Sequence, residues 1–274
     1  MFSSTSATPI IVFFFVHWWG SVFMQTFFLH RYASHGVFQL SKGWERFFYL
    51  LTYLLQGSSF LAPRPYAYLH RAHHAYSDTE KDPHTPHRFS NAFAMMWETK
   101  HAYSKLAYGT EKPEPRFAGY TPYWASLDAI GDHWTSRLGW GIAYTLFYFA
   151  FAPHPAWLLL LPIHYLMGPI HGAIVNWAGH KYGYRNFSSR DKSRNVLPWD
   201  FVTLGELFQN NHHRHGQSPK FAQRWFEIDP SYPVILLLDK LRILKLAKNP
   251  TGTSQNSSDN LEVAPVALGA SDAE

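Results

Sequence analysis

Residues 9–29 (PIIVFFFVHWWGSVFMQTFFL) are 21 consecutive positions without a charge, and the run ends directly on His30. About 20 apolar residues cross a bilayer core as a helix. Lipid offers backbone groups no partners, so a single apolar segment must satisfy its own hydrogen bonds, and a helix does this. No Lys or Arg precedes the run and no small-residue cleavage site follows it, so a secretory signal is not expected. The chain is therefore expected to be an all-α integral membrane protein.

Further apolar stretches extend this reading. Residues 138–152 and 155–178 are joined by the turn Pro153-His154-Pro155 and read as a transmembrane hairpin. Residues 45–62 (ERFFYLLTYLLQGSSFLA) are shorter and are interrupted by Gln56-Gly57-Ser58-Ser59. A full crossing there would put His30 and His35 on the opposite side from His70, His73 and His74. A shared site requires the segment to enter and return, or to lie in the interface. The expectation is three to four membrane helices, one membrane-embedded hairpin and a histidine-rich cap formed by 63–137 and 179–248. The first of these loops holds nine Lys or Arg, which places it in the cytosol. Residues 231–247 mix apolar and basic positions at helical spacing, as an interfacial helix does. Residues 1–248 then form one domain, and 249–274 a disordered tail.

The chemistry is carried by 17 histidines in a chain with no cysteine. Disulfides, thiolate zinc sites and Cys-ligated iron–sulfur clusters are excluded. The formal charge of +5 is concentrated in loops beside apolar segments, so membrane lipid headgroups explain it and nucleic acid does not.

Four histidine groups stand out: His30-Arg-Tyr-Ala-Ser-His35, His70-Arg-Ala-His73-His74, Asn176-Trp-Ala-Gly-His180 and Gln209-Asn-Asn-His212-His213. His70, His73 and His74 lie at i, i+3 and i+4, so on a helix they share a face and can converge on one volume. Asn176 and His180 are likewise four apart. His30 and His35 are separated by roughly 140° on a 3.6-residue helix. They serve different metals, or the helix ends between them. The neighbours His73-His74 and His212-His213 suit two centres better than one. Eight histidines exceed the needs of a single tetrahedral site, and shared between two metals they give four imidazoles each. Imidazole suits Fe, Zn, Cu and Ni alike, so the ligands do not name the metal.

Isolated histidines in apolar runs, such as His17, His154 and His164, read as hydrogen-bonded packing residues. Glu98-Thr-Lys-His101 fits half of a carboxylate-bridged di-iron motif, but no second copy accompanies it.

The four groups together resemble the boxes of the membrane-bound acyl-chain desaturases related to stearoyl-CoA desaturase. HRYASH is similar to the first box, HRAHHAYSDTEKDPHTP to the second with its acidic extension, NNHHRHGQSP to the third, and NWAGHKYGYRNF to the stretch that supplies His180 and the water-holding Asn176. The likeness covers about residues 10–235. It implies two iron ions held by His30, His35, His70, His73, His74, His180, His212 and His213, with O2 as co-substrate. It implies a cis double bond, of the delta-9 type, placed in a saturated acyl chain. No flavin, haem or iron–sulfur motif is present, so electrons are expected from a ferredoxin, rubredoxin or cytochrome b5-like donor with its reductase. The expected setting is a bacterial inner membrane with the site facing the cytosol.

Three departures qualify the likeness. Gln209 stands where the third box opens with His, and as a weak ligand or water-orienting group it leaves one iron less saturated. Tyr68-Leu69 replace an Arg-Asp pair that contacts CoA, which leaves acyl-CoA, acyl-lipid and acyl-carrier-protein substrates open. The animal enzymes' additional N-terminal membrane helix is expected to be absent. His84, His171 and His215 are assigned supporting roles, with Asp78 and Asp82 as acidic partners of ligating imidazoles. The competing readings are a hydroxylase, ketolase or alkane oxygenase with the same metal site, and a non-catalytic metal-binding membrane protein. The latter requires polar paths through the spans, and no Asp, Glu, Lys or Arg occurs in 9–29 or 155–178.

Overall fold

A computed structural model describes residues 6–247. The segment assigned as a tail, 249–274, lies outside the described residues. The first apolar run forms α1 (Thr8–Met24), with a Pro in its first turn where no hydrogen bond is lost. It continues without a break into a π-helical segment, Gln25–Ser34. Thr8–Ser34 as a whole is long and apolar enough to cross a membrane. Val12, Val16 and Trp19 point outward from it, as lipid-facing residues do.

A short strand, β1 (Phe38–Leu40), leads into α2 (Lys42–Gln56), whose Ser41 hydroxyl accepts from the Trp44 N–H as an N-cap. α2 packs antiparallel on the first helix, Phe48 against Phe27 and Leu55 against Gly20. Gly20 is ten residues from His30, so α2 descends only about 15 Å below the histidines. The chain turns at a 3-10 segment, Gly57–Ser59, and α3 (Pro63–Tyr76) climbs back until Arg71 bonds the Ala33 and Ser34 carbonyls. An aromatic core of Phe27, Phe28, Tyr32, Phe38, Phe48 and Tyr49 fills the space between these elements.

On the polar side, α4 (Ala92–Ala107) and α5 (Ala125–Asp132) precede α6 (Trp134–Phe151). Leu138, Ile142 and Leu146 of α6 are exposed along one side. Residues 155–178, expected as one span, are instead broken. A 3-10 turn (Pro155–Leu160) and α7 (Leu161–Tyr165) are bent by 70° from α8 (Met167–Gly172) and its π-helical continuation, Ala173–Ala178.

The cause is Pro169, which has no N–H to return to Tyr165. The freed Tyr165 carbonyl accepts from the Ser58 hydroxyl at 3.1 Å and the Ser59 hydroxyl at 3.2 Å. The polar interruption in the second apolar stretch thus serves the break in the last one, which apolar surroundings would otherwise penalise. Gly57 makes the fit possible. Its φ is +49°, and a Cβ there would sit 1.8 Å from the Tyr144 hydroxyl oxygen. Gly57→Ala is expected to cost about 2–4 kcal/mol through overpacking and left-handed strain. A lowered unfolding midpoint in detergent would register this, and an unchanged midpoint would show that the turn yields freely.

Two local expectations are corrected. The interfacial helix over 231–247 stops early: α10 covers Ser231–Lys240, and Arg242 at φ +59° turns the chain. Leu244–Leu246 then forms β2, antiparallel to β1 with Phe38 opposite Leu246. Among the described residues the fold is consequently helical with one small ribbon rather than purely α. Burial of Leu244 against the aromatic core accounts for the change.

Candidate metal centre

The histidines gather into two adjoining groups. His30, His35, His70, His74 and His212 form the first, and His73, His180 and His213 the second, with candidate ligand atoms in each group within 4.8 Å of one another. His30 and His35 meet because the helix ends at Ser34 and its last turn is wide: the His35 N–H reaches the His30 carbonyl five residues back, at 3.2 Å. His70, His73 and His74 do not converge on one volume. His70 and His74, one turn apart, join the first group while His73 turns to the second. His212 and His213, successive residues on α9 (Gln209–Arg214), separate in the same way. The division is five and three, not four and four.

In the first group the Nε2 atoms crowd together. His30 and His212 are 2.8 Å apart, His35 and His70 2.8 Å, His70 and His74 3.0 Å, and His74 and His212 2.9 Å. These separations suit nitrogens around one ion at bond lengths of about 2.1 Å. Burial first, then the neighbouring imidazoles, hold His35, His70, His74 and His212 well below the ordinary histidine range. They are neutral at physiological pH, the form that binds metal.

The second group shows a different signature. His73, His180 and His213 each place Nδ1 on a carboxylate, Asp82 at 2.9 Å, Asp78 at 2.9 Å and Asp191 at 2.7 Å. Their three Nε2 atoms are buried and have no hydrogen-bond partner among the described residues. Bare nitrogens backed by carboxylates and turned to one volume are the arrangement of metal-binding imidazoles. Burial would raise the three carboxyls, but the bonded imidazoles hold all of them below the usual range, Asp78 at about 2. Burial likewise lowers His73, and Asp82 more than reverses it, whereas His213 stays down at about 4. Both groups therefore fit metal ions on the chemistry of their donors.

The remaining predicted residues fall around these groups. His84 lies against His73 with ring centres 4.2 Å apart and the rings tilted by 31°, and with Asp82 the two form a third cluster of candidate ligands. Asn176 is half-buried within the π-helical stretch that leads to His180. Gln209 packs beside Gly179, and its amide nitrogen donates to the Glu206 carbonyl at 2.7 Å. His215 lies apart, against Phe187, and His171 lies on α8 against Trp18.

Sequence reasoning missed Glu206 and Asp191. Glu206 accepts from His30 at 2.6 Å, from Thr26, and faces Arg31 at 3.6 Å. Its only signal is being an acid six residues before His212. Asp191, 22 residues from His213, carries none. The two asparagines before His212 pin α9 in place, Asn210 accepting from Asn186 and Phe187 backbone N–H groups and Asn211 donating to Glu227.

With this geometry in hand, the comparisons with known proteins are specific. The fatty acid desaturase family model matches residues 5–233, and the chain belongs to that family. It is 29% identical over 238 residues to the sn-1 stearoyl-lipid 9-desaturase of Synechocystis sp., covering 82% of this chain and 67% of that protein. The Delta-9 desaturase-like 5 protein of Arabidopsis thaliana is 28% identical over 231 residues, with 82% and 72% covered. The hex-5-enoyl-acyl-carrier protein acetylenase of Moorena producens is 28% identical over 256 residues, with 81% and 72% covered. The protein is an oxidoreductase that acts as a fatty acyl desaturase.

Proposed function

We propose that this chain uses O2 and two iron ions to place a cis double bond at the delta-9 position of a saturated acyl chain. The eight histidines hold the ions, and the electrons come from an external ferredoxin, rubredoxin or cytochrome b5-like donor. The enzyme sits in a bacterial inner membrane with its histidines toward the cytosol. The observation that carries this is the pair of adjoining groups, one of crowded imidazoles and one of carboxylate-backed bare nitrogens.

Bound iron, once reduced, supplies the O2 activation needed to take hydrogen from unactivated methylenes. The chain's own residues position and protect. Asp78, Asp82, Asp191 and Glu206 fix four imidazoles by their Nδ1 atoms. Phe221, with ring centres 5.4 Å from His30 and 4.5 Å from His212, keeps water from that side. A methylene cannot be hydrogen-bonded, so an apolar channel must set the reacting carbons by position alone.

A cavity of about 370 Å³ lined by Lys42, Arg46, Arg64 and Tyr68, with Glu45 paired to Lys42, has a net positive lining that suits an anionic carrier end.

The test is fatty-acid methyl-ester analysis in a bacterium lacking aerobic desaturases, grown with and without O2 and supplied with a matched donor. A delta-9 monoene that requires O2 and vanishes in His73→Ala is expected. Hydroxylated or ketonic products would move the chain to the oxygenase reading, and absence of any product with a competent donor would refute the proposal.

A further inference from the structure

The span beneath the metal centre carries a second polar set. His17, Ser21 and Gln25 recur every four residues along the first helix, form one stripe and are buried. Gln56 at the end of α2, His164 on α7 and His171 on α8 are fully buried on elements that pack against this helix. Leu55 touches Gly20, His164 meets His17, and His171 stands edge-on to Trp18 at 4.6 Å.

Part of the set satisfies itself. His17 Nδ1 and His164 Nδ1 are 2.6 Å apart, the Tyr148 hydroxyl is 2.8 Å from His164 Nε2, and the Tyr144 hydroxyl is 3.5 Å from His17 Nε2. That quartet is explained as polar packing between membrane helices. The rest is not. Ser21 Oγ, Gln25 Oε1, Gln56 Nε2 and both nitrogens of His171 are buried without a hydrogen-bond partner among the described residues.

Hydrocarbon offers these atoms nothing, and leaving them bare is costly. Gln56 presents a donor, Gln25 an acceptor, and Ser21 and neutral His171 one of each. A mixed set of this kind suits water, which donates and accepts, better than an ion or an apolar group. Gln25 opens one π-helical segment and His171 precedes the other by two residues. Such turns interrupt the helical ladder and admit water. At the upper end the Gln25 side chain meets the Tyr66 hydroxyl, and the Tyr66 ring lies parallel to that of His70 at 6.0 Å.

We propose that Ser21, Gln25, Gln56 and His171 enclose a short file of bound waters inside the membrane, running up to the metal centre and serving as its route for water and protons. The purpose rests on the desaturase reading. Converting –CH2–CH2– to –CH=CH– with one O2 removes two hydrogens from the chain, draws two electrons from the donor and two protons from solution, and forms two waters. Those waters must leave an aromatic-walled site, and those protons must enter it.

Radiolytic hydroxyl-radical labelling of the metal-loaded protein in lipid nanodiscs tests this without substrate or donor, so its result is independent of the desaturase reading. Radicals form from water at the site of radiolysis. His17 and His171 are expected to be oxidised about ten-fold faster than the equally buried Phe27 and Phe28. Equal rates would overturn the water file. In Ser21→Ala/His171→Leu, labelling of His17 should fall to the Phe27 level and double-bond formation slow several-fold, with metal content unchanged. Lost labelling with undiminished turnover would overturn the conduit role.

Discussion

His213→Ala is expected to release one of two bound ions and to take double-bond formation below detection, while His35→Ala keeps more of its metal. The asymmetry comes from the division of ligands. Removing His213 leaves the second group with two imidazoles, His73 and His180, too few to hold an ion against water. Removing His35 leaves the first group with four. Loss of an outer carboxylate partner alone typically weakens metal binding 10–100-fold, so loss of a ligand from the smaller set should exceed about 100-fold. Asp191→Asn, which spares the ligand but unfastens its Nδ1, should fall between the parent and His213→Ala. Metal per chain after purification, with methyl-ester analysis of the same cells, measures both effects. Equal metal loss in His35→Ala and His213→Ala would show that the eight imidazoles act as one undivided site.

What spacing reveals about this centre, and what it hides, has a physical basis. His70 and His74 meet because one helical turn separates them, and His73 diverges because three residues fall short of a full turn. The sequence motif groups the three without separating them. His30 and His35 are harder, since a regular helix sends them apart and only the wide final turn joins them. Nothing in QTFFLHRYAS announces a π-helix; it is selected by what packs around it. The break at Leu166 was readable in principle from Pro169. Its stabilisation was not, because the hydroxyls that cap it come from Ser58 and Ser59, about a hundred residues earlier. The same holds for Asp191 and Glu206. Their partners are distant in the chain, and pairings of that kind belong to the tertiary fold. The short β2 illustrates a further limit: its helical periodicity is real, but burial of Leu244 beside β1 outweighs it.

Arg31→Met is the substitution expected to cost the most stability, about 3–5 kcal/mol, because it leaves buried carboxylates without their counter-charge. Arg31 is fully buried at the end of the first helix. Its guanidinium bonds Asp229 at 2.9 Å and the Pro219 carbonyl at 3.1 Å, faces Glu206 at 3.6 Å, and lies 3.6 Å above the Phe221 ring. Each contact leads toward the metal centre. Glu206 holds His30, Phe221 packs on His30 and His212, and Asp229 accepts the Phe221 N–H at 2.8 Å. Arg31 therefore ties the membrane helix to the loop that closes the site, using a planar fork that reaches both carboxylates at once. Lysine keeps the charge but is a single point on a flexible stem, so Arg31→Lys should recover less than half of the loss. Unfolding in detergent, followed with and without added iron, separates the two consequences. Arg31→Met should lower the unfolding midpoint in both conditions and should also shrink the stabilisation that iron provides, since Glu206 no longer holds His30 in register. A lowered midpoint with the full stabilisation by iron would confine Arg31 to packing and detach it from the centre.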